Sequence, residues 1–275
     1  MTAAYLNGVI DAEIFMAQPP GYVDPAHQNM VCRLNKGLYG LKQAGHLWHK
    51  VMCKKIVELG FKQAHADPCV FTLENDGKII AIIALYVDDF IITGIFTHII
   101  SFKDKILNIF KGKDLGESKF ILGIQITQTQ QNVELLQSTY VNRLIDEVGM
   151  TGANFTQVPV SGGDVKESTT QGQNFDALET STPYRNIVGK LMYAMVGTRP
   201  DIAFAVGYLS RFSSNPTKFN LNMAKKCVRY LISTQNLKIL FRKNISSDLN
   251  LEIFVDADWG GGEDRKSTTG LWPDQ

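Results

Sequence analysis

The chain has 275 residues, 44% of them hydrophobic, and a formal net charge of +1. That length and apolar content suit one large globular domain or two modest ones, and with so little net charge any phosphate-binding surface must be a local basic patch. Its four cysteines, Cys32, Cys53, Cys69 and Cys227, form no Cys-x-x-Cys pair, which argues against a zinc module or a dense disulfide framework and for reduced thiols.

Residues 38–59 read as the first helix. Leu41, Ala44, Trp48, Met52, Ile56 and Leu59 recur at three-to-four spacing, and Gly60 suits the residue after a helix end. Strands are expected over 70–73 and 79–86, separated by the turn sequence Asn75-Asp76-Gly77. Residues 90–93 complete a hairpin around Asp88 and Asp89. A second helix should cover 101–110, with Phe102, Ile106, Ile109 and Phe110 facing inward. Strands follow at 119–127 and 133–137. Ser138 is the expected N-cap of a helix carrying Val141, Leu144, Ile145 and Val148, closed by Gly149.

From Thr151 to Thr182 Ser, Thr, Gly and Gln dominate, and 161–178 reads as a flexible linker. Helical pattern returns over 186–196. Asp201 would cap a helix to Phe212, and Asn215-Pro216 would start one running through Ile232. A strand over 251–255 then leads into Asp256. The apolar run 79–87 is too short to span a bilayer and ends in two acids. Met1 is followed by no basic and apolar leader of a secretory signal.

Tyr86-Val87-Asp88-Asp89 lies between the apolar runs 79–85 and 90–92. Adjacent carboxylates at the tip of a buried hairpin are costly unless a divalent cation offsets them, and rigidly held carboxylates are how nucleotidyl-transfer sites hold magnesium. The other reading is a simple turn, because Asp tolerates turn geometry, although Asn-Gly or Asp-Gly is the favoured pair. Lysines cluster at 36–55 (Lys36, Lys42, Lys50, Lys54, Lys55), at 103–113 and around Lys225, Lys226 and Arg229; each cluster is either a phosphate contact or a solvated helix face. His46 and His49 stand one helical turn apart with no third ligand in view. Trp48 reads as core.

Several motifs occur in order. They are Ala4-Tyr5-Leu6-Asn7-Gly8, Gln18-Pro19-Pro20-Gly21-Tyr22, Leu38-Tyr39-Gly40-Leu41-Lys42-Gln43-Ala44, Asp67-Pro68-Cys69-Val70-Phe71, the Asp88-Asp89 hairpin, Lys113-Asp114-Leu115-Gly116-Glu117 and Phe120-Ile121-Leu122-Gly123-Ile124. Later come Tyr184-Arg185, Thr198-Arg199-Pro200-Asp201-Ile202, Leu209-Ser210-Arg211-Phe212, Val255-Asp256-Ala257-Asp258-Trp259 and Asp264-Arg265-Lys266-Ser267-Thr268. Together they resemble the reverse transcriptase of copia-type long-terminal-repeat retrotransposons, over almost the whole chain.

The resemblance implies an α+β fold: a palm-like antiparallel sheet with packed helices, a helical connection and a truncated ribonuclease H-like start. It divides the chain into a palm and the start of a thumb over 1–150, a polar linker over 151–182, the connection over 183–245 and the ribonuclease H-like segment over 246–275. The implied activity is RNA-directed DNA polymerisation with two Mg2+ (or Mn2+) ions. Asp88 and Asp89 would be the catalytic, metal-binding carboxylates.

Tyr86 would lie near the primer terminus, or be an ordinary strand aromatic. Tyr5 would lie under the incoming sugar, or be a residue of a frayed end. Lys42 would face phosphate and Gln43 the nucleotide, or both would be a polar helix start. Asp256 matches the first acid of a vestigial ribonuclease H site, and Asp258 reads as a turn residue. Implied partners are an RNA template, a DNA primer, deoxynucleoside triphosphates and the rest of a Pol polyprotein. The implied location is intracellular, in cytoplasmic virus-like particles and the nucleus, neither secreted nor membrane-bound.

There are three departures from the family pattern, one of which is that the chain stops at Gln275, inside the first hairpin of the ribonuclease H fold. The family's first catalytic aspartate stands five positions before the aromatic matched by Tyr5, one residue before Met1. Gly45-His46 and His49 replace its Pro-Arg and Tyr. The expectation is therefore a catalytically incomplete polymerase fragment; the alternative is a non-catalytic nucleic-acid-binding remnant of a degenerate element.

Overall fold

The computed structural model describes residues 1–165, 176–242, 252–258 and 267–274. The chain divides into two compact units, Met1–Ser118 and Lys119–Gln275. Antiparallel sheets and helices alternate in both, so the α+β expectation holds.

In the first unit a 3-10 turn, Ala4–Asn7, precedes a small antiparallel pair, β1 (Phe15–Ala17) and β2 (Val31–Arg33). Helix α1 (Ala44–Glu58) follows, then β3 (Lys62–Gln63), β4 (Val70–Asn75), β5 (Lys78–Tyr86), β6 (Asp89–Gly94) and helix α2 (Phe96–Ile109). The four strands form one antiparallel sheet in sequence order. Alternate residues of β5 (Ala81, Ile83 and Leu85) are buried in a core with Trp48, Met52 and Ile56 of α1 and Phe102 and Ile106 of α2. This is the period-two and period-3.6 patterning that packs helices on a sheet. Asp76 and Gly77, both at positive φ, close the β4–β5 hairpin as a two-residue turn.

Two helix starts differ from expectation. Helix α1 begins at Ala44, not 38, because Gly40 sits at φ +99° and the amides of Leu41 and Ala44 bond three residues back, to Leu38 and Leu41, in separate turns. Helix α2 begins at Phe96, not 101. There β6 crosses β5 so closely that a Cβ on Gly94 would lie 2.3 Å from the Ile80 carbonyl oxygen, and the chain turns straight into the helix. Ile109, expected inward, is exposed at the helix end, while Phe110 beyond it is buried.

In the second unit β7 (Phe120–Ile121), β8 (Ile124–Gln128), β9 (Asn132–Leu136) and β10 (Ile239–Arg242) form an antiparallel sheet of order β10-β9-β8-β7. The single strand expected over 119–127 is broken in two by Leu122 and Gly123, at φ 48° and 76°. Helices α3 (Ser138–Glu147), α4 (Thr182–Gly197), α5 (Ala203–Ser210) and α6 (Lys218–Ser233) share a core that includes Leu144, Leu191, Leu209 and Leu231.

Three expected caps are replaced. Gln137, not Ser138, is the N-cap of α3, and the Ser138 hydroxyl donates instead to Gln125 Oε1 at 2.7 Å. Asp201 does not cap α5. The buried Arg199 guanidinium grips it at 2.9 Å and 2.7 Å, and a 3-10 turn, Pro200–Ile202, leads into the helix, which stops at Ser210. Helix α6 is capped by Thr217, whose side chain and that of Asn220 form a reciprocal capping box.

Of the linker expected over 161–178, residues 166–175 lie outside the described residues, as do 259–266 of the later motifs. The described flanks are tied down: Asp164 receives the Lys226 ammonium at 2.6 Å, and the Leu178 amide donates to Pro216 at 3.1 Å. β11 (Glu252–Asp258) and β12 (Thr268–Asp274) form a separate two-stranded hairpin. Asp258 is therefore a strand residue opposite Thr268, not a turn residue. No described helix is long and apolar enough to cross a membrane.

Candidate active site

The tip of the β5–β6 hairpin holds the two carboxylates. Tyr86 pairs with Asp89, so the two-residue turn is Val87-Asp88, one position earlier than the Asp88-Asp89 pair at the centre of the expected tip. Val87 sits at φ 52°, a conformation that costs a β-branched residue about 1–2 kcal/mol. It is maintained by its surroundings. The Trp48 indole N–H donates to the Val87 carbonyl at 2.7 Å, and Trp48 is itself buried edge-on to Phe110 at 5.2 Å. The rigid turn sends Asp88 partly inward and leaves Asp89 exposed as the first residue of β6.

The two oxygens of Asp88 differ. Oδ2 accepts the Tyr39 hydroxyl at 2.8 Å. Oδ1 is buried and makes no hydrogen bond. A buried carboxylate oxygen without a partner pays a desolvation penalty, and a cation beside it would offset that cost. Tyr39 responds to its neighbour: the hydrogen bond to Asp88, then burial, pushes its phenol above the ordinary tyrosine value. Its ring stacks at a tilt on Tyr5, centroids 4.4 Å apart.

Tyr5 belongs to the N-terminal 3-10 turn, which Gly37 lets pass: a Cβ there would meet the Tyr5 carbonyl oxygen at 2.7 Å. The amino terminus of Met1 donates to the Asp88 backbone carbonyl, and the Thr2 amide donates to Lys111 at 2.8 Å. The start of the chain is thus pinned beside the carboxylate tip.

Tyr5, Tyr86, Asp88 and Asp89 are accordingly brought to one end of the sheet. Lys42 is exposed, and Gln43 is the N-cap of α1 with no side-chain capping bond; neither hydrogen-bonds the carboxylates. Lys50 and Lys54 are exposed on α1, whereas Lys55 pairs with Glu58 and Lys103 with Asp114. Asp256 lies in mid-β11, exposed and opposite Gly270, in the second unit. Among the described residues no group of three or more His, Cys, Asp or Glu side chains is assembled to hold a metal ion. Sequence reasoning missed Tyr39, although it stands inside a quoted motif, because nothing local links it to an acid 49 residues away. It also missed that His49 touches Cys53 and Cys69.

Residues 1–162, which include the whole carboxylate hairpin, match the family described as reverse transcriptase (RNA-dependent DNA polymerase). The chain belongs to that family. It is 36% identical over 262 residues to the retrovirus-related Pol polyprotein from transposon RE1 of Arabidopsis thaliana, covering 95% of this chain and 17% of the relative. It is 37% identical to the corresponding polyprotein from transposon TNT 1-94 of Nicotiana tabacum, covering 97% and 20%. A putative transposon Ty5-1 protein of Saccharomyces cerevisiae is 32% identical, covering 97% of this chain and 85% of the relative. The chain thus resembles the Pol polyproteins of copia-type retrotransposons and spans about a fifth of the length of the two plant polyproteins. No solved structure matches it.

Proposed function

We propose that this reverse transcriptase segment supplies the metal-binding hairpin of an RNA-directed DNA polymerase, with Asp88 and Asp89 as two ligands of a Mg2+ (or Mn2+) pair. The observation that carries the reading is the buried, unpartnered Asp88 Oδ1 next to a second, exposed carboxylate on a rigid turn. Hard oxygen donors fit magnesium. When bound, the ions would stabilise the attacking and leaving oxygens of phosphoryl transfer. The chain's own residues hold Asp88 in place through Trp48 and Val87, occupy its second oxygen with Tyr39, and set the Tyr5 and Tyr86 rings beside the tip. Tyr5 would sense the incoming sugar and Tyr86 the primer end. Lys42 and Gln43, at the entry to α1, would meet phosphate and nucleotide.

The substrates in this reading are an RNA template, a DNA primer and deoxynucleoside triphosphates, in the setting of a Pol polyprotein inside cytoplasmic particles or the nucleus. Residues 1–150 act as palm and start of thumb. Residues 151–182 are the linker, 183–245 the connection and 246–275 a ribonuclease H-like start in which Asp256 is vestigial. Two carboxylates are too few for the ion pair, so the chain by itself is expected to extend primers weakly or not at all. The exposed Lys42, Lys50 and Lys54 support a second reading, a non-catalytic nucleic-acid-binding remnant that meets phosphate with them.

Manganese titration followed by paramagnetic relaxation tests the site. Enhancement in the wild type that disappears in Asp88→Asn/Asp89→Asn supports it, and equal relaxation in both overturns it. Template-primer binding without extension, even after an aspartate-bearing strand is added upstream in register with Ala4-Tyr5, would select the second reading.

A further inference from the structure

On the first unit, one side-chain cluster plays no part in the carboxylate site. Cys53 of α1 lies 3.4 Å and 3.3 Å from the two ring nitrogens of His49, one helical turn earlier. Cys69, just before β4, lies 3.9 Å from His49 Nε2. Gln63 closes the group: its amide points at Cys53 Sγ at 3.8 Å and donates to the Pro68 carbonyl, beside Cys69, at 2.6 Å. Two thiols from different elements therefore converge on one imidazole. Both are only partly buried, so a small reagent can reach them, unlike Cys227, which is fully buried.

We propose that Cys53 and Cys69 are a reversible dithiol–disulfide pair with His49 as the acceptor of the thiol proton. The oxidant is a low-molecular-weight disulfide such as oxidised glutathione. One cysteine gives its proton to His49, and its thiolate attacks a glutathione sulfur. The glutathione S–S bond breaks, and one glutathione leaves as thiolate. The second cysteine, deprotonated in turn, attacks the protein sulfur of the mixed disulfide and expels the other glutathione. One S–S bond is formed and one broken. Two electrons and two protons pass from the protein to two released glutathione molecules. Burial raises both thiols above their ordinary value, and the nearby Cys69 charge adds to the rise at Cys53. Each thiol therefore stays protonated until a base takes its proton, and the His49 ring, in contact with both sulfurs, is the base in place to do so.

The bond would join α1 to the strand that leads into the active hairpin. Cys69 already accepts the Leu85 amide at 2.9 Å, next to Tyr86, and α1 carries the Trp48 that holds Val87. The pair is an oxidisable brace behind the carboxylate tip.

The full chain, first reduced and then equilibrated in mixtures of oxidised and reduced glutathione, should yield on non-reducing proteolysis a linked peptide containing Cys53 and Cys69. The link should disappear on adding dithiothreitol, be lost in Cys53→Ser and in Cys69→Ser, and persist in Cys32→Ser. His49→Gln should slow its formation. Separate glutathione adducts on the two cysteines with no link, a link through Cys32 instead, or an unchanged rate in His49→Gln would overturn the proposal. The readout is thiol chemistry alone, so it stands apart from any measurement of metal binding or DNA synthesis.

Discussion

The β5–β6 and β11–β12 hairpins both carry acids singled out in the sequence, and among the described residues the first is built into a core while the second is not. In β5–β6 the inward face is Ala81, Ile83 and Leu85, against α1 and α2, and the tip is locked by a buried tryptophan. In β11–β12 Ile253, Phe254 and Val255 are 50%, 58% and 63% exposed, and the Asp256 carboxylate accepts from the amide of its own neighbour, Ala257. A two-stranded ribbon without a covered face is marginal. An acid becomes a site when packing forces it to a place where water cannot solvate it fully. Asp88 has been forced in this way, and Asp256 keeps its solvent.

The largest separation between the two should appear in catalysis. In a version of the chain extended upstream by an aspartate-bearing strand, Asp88→Asn should lower primer extension by about a thousandfold, since losing a metal ligand worth ~4 kcal/mol at the transition state corresponds to that factor. Asp256→Asn should leave extension unchanged. A comparable loss from both would erase the distinction drawn here.

Stability should separate them next. Gly94→Ala pushes a Cβ to 2.3 Å from the Ile80 carbonyl oxygen, at φ +140°. Backbone cannot yield there cheaply, so urea unfolding should show a loss of about 3 kcal/mol or more. Among the described residues, Gly270→Ala, in β12 opposite Asp256, meets the Asp256 carbonyl oxygen at 3.7 Å and nothing nearer. That is an ordinary contact, and its effect should stay within about 0.5 kcal/mol. Trp48→Phe removes the indole donor to Val87 and leaves that carbonyl to find water. About 1–2 kcal/mol is expected in the same assay, along with weaker manganese relaxation as the turn loosens.

The strands of the β5–β6 hairpin were legible because apolar runs flank the acids on both sides and the Asn75-Asp76-Gly77 turn bounds the first run. The tip was less so. The two acids looked like the turn pair, whereas the real turn places a valine at positive φ, which no propensity favours; Trp48, 39 residues upstream, holds it there. The starts of α1 and α2 were misread for a related reason: apolar spacing runs on through 38–43, but Gly40 and Gly94 take backbone angles that spacing does not report. The pairing of β10 with β9 joins Ile239 to Leu135, a contact with no local signal at all. Asp201 looked like a cap until Arg199 claimed it. The order of motifs singled out the two acids, but the partner of Asp88 and the two thiols at His49 depend on tertiary placement.

The smallest expected effect is also the most direct report on Asp88. While Asp88 is ionised, its Oδ2 accepts the Tyr39 hydroxyl and its charge disfavours a phenolate beside it, so the Tyr39 value stands above 10.0. Asparagine at 88 keeps the shape, but it is a weaker acceptor and carries no charge. The Tyr39 titration, followed by NMR of ring-labelled tyrosine and assigned with Tyr39→Phe, should therefore move down towards the ordinary tyrosine value in Asp88→Asn. The sign for stability follows from the raised value. The contribution of this bond is fully present below the unfolded tyrosine value and is lost as pH rises through the higher, folded one. In the alkaline range the wild type and Tyr39→Phe should run parallel up to the unfolded tyrosine value and diverge above it. A metal ion on Asp88 Oδ1 would offset the carboxylate charge that raises the Tyr39 phenol. Adding magnesium should then lower the Tyr39 value in the wild type and leave it unmoved in Asp88→Asn. If the ion leaves Tyr39 unchanged in both, it does not sit on Asp88, and the proposed metal site fails.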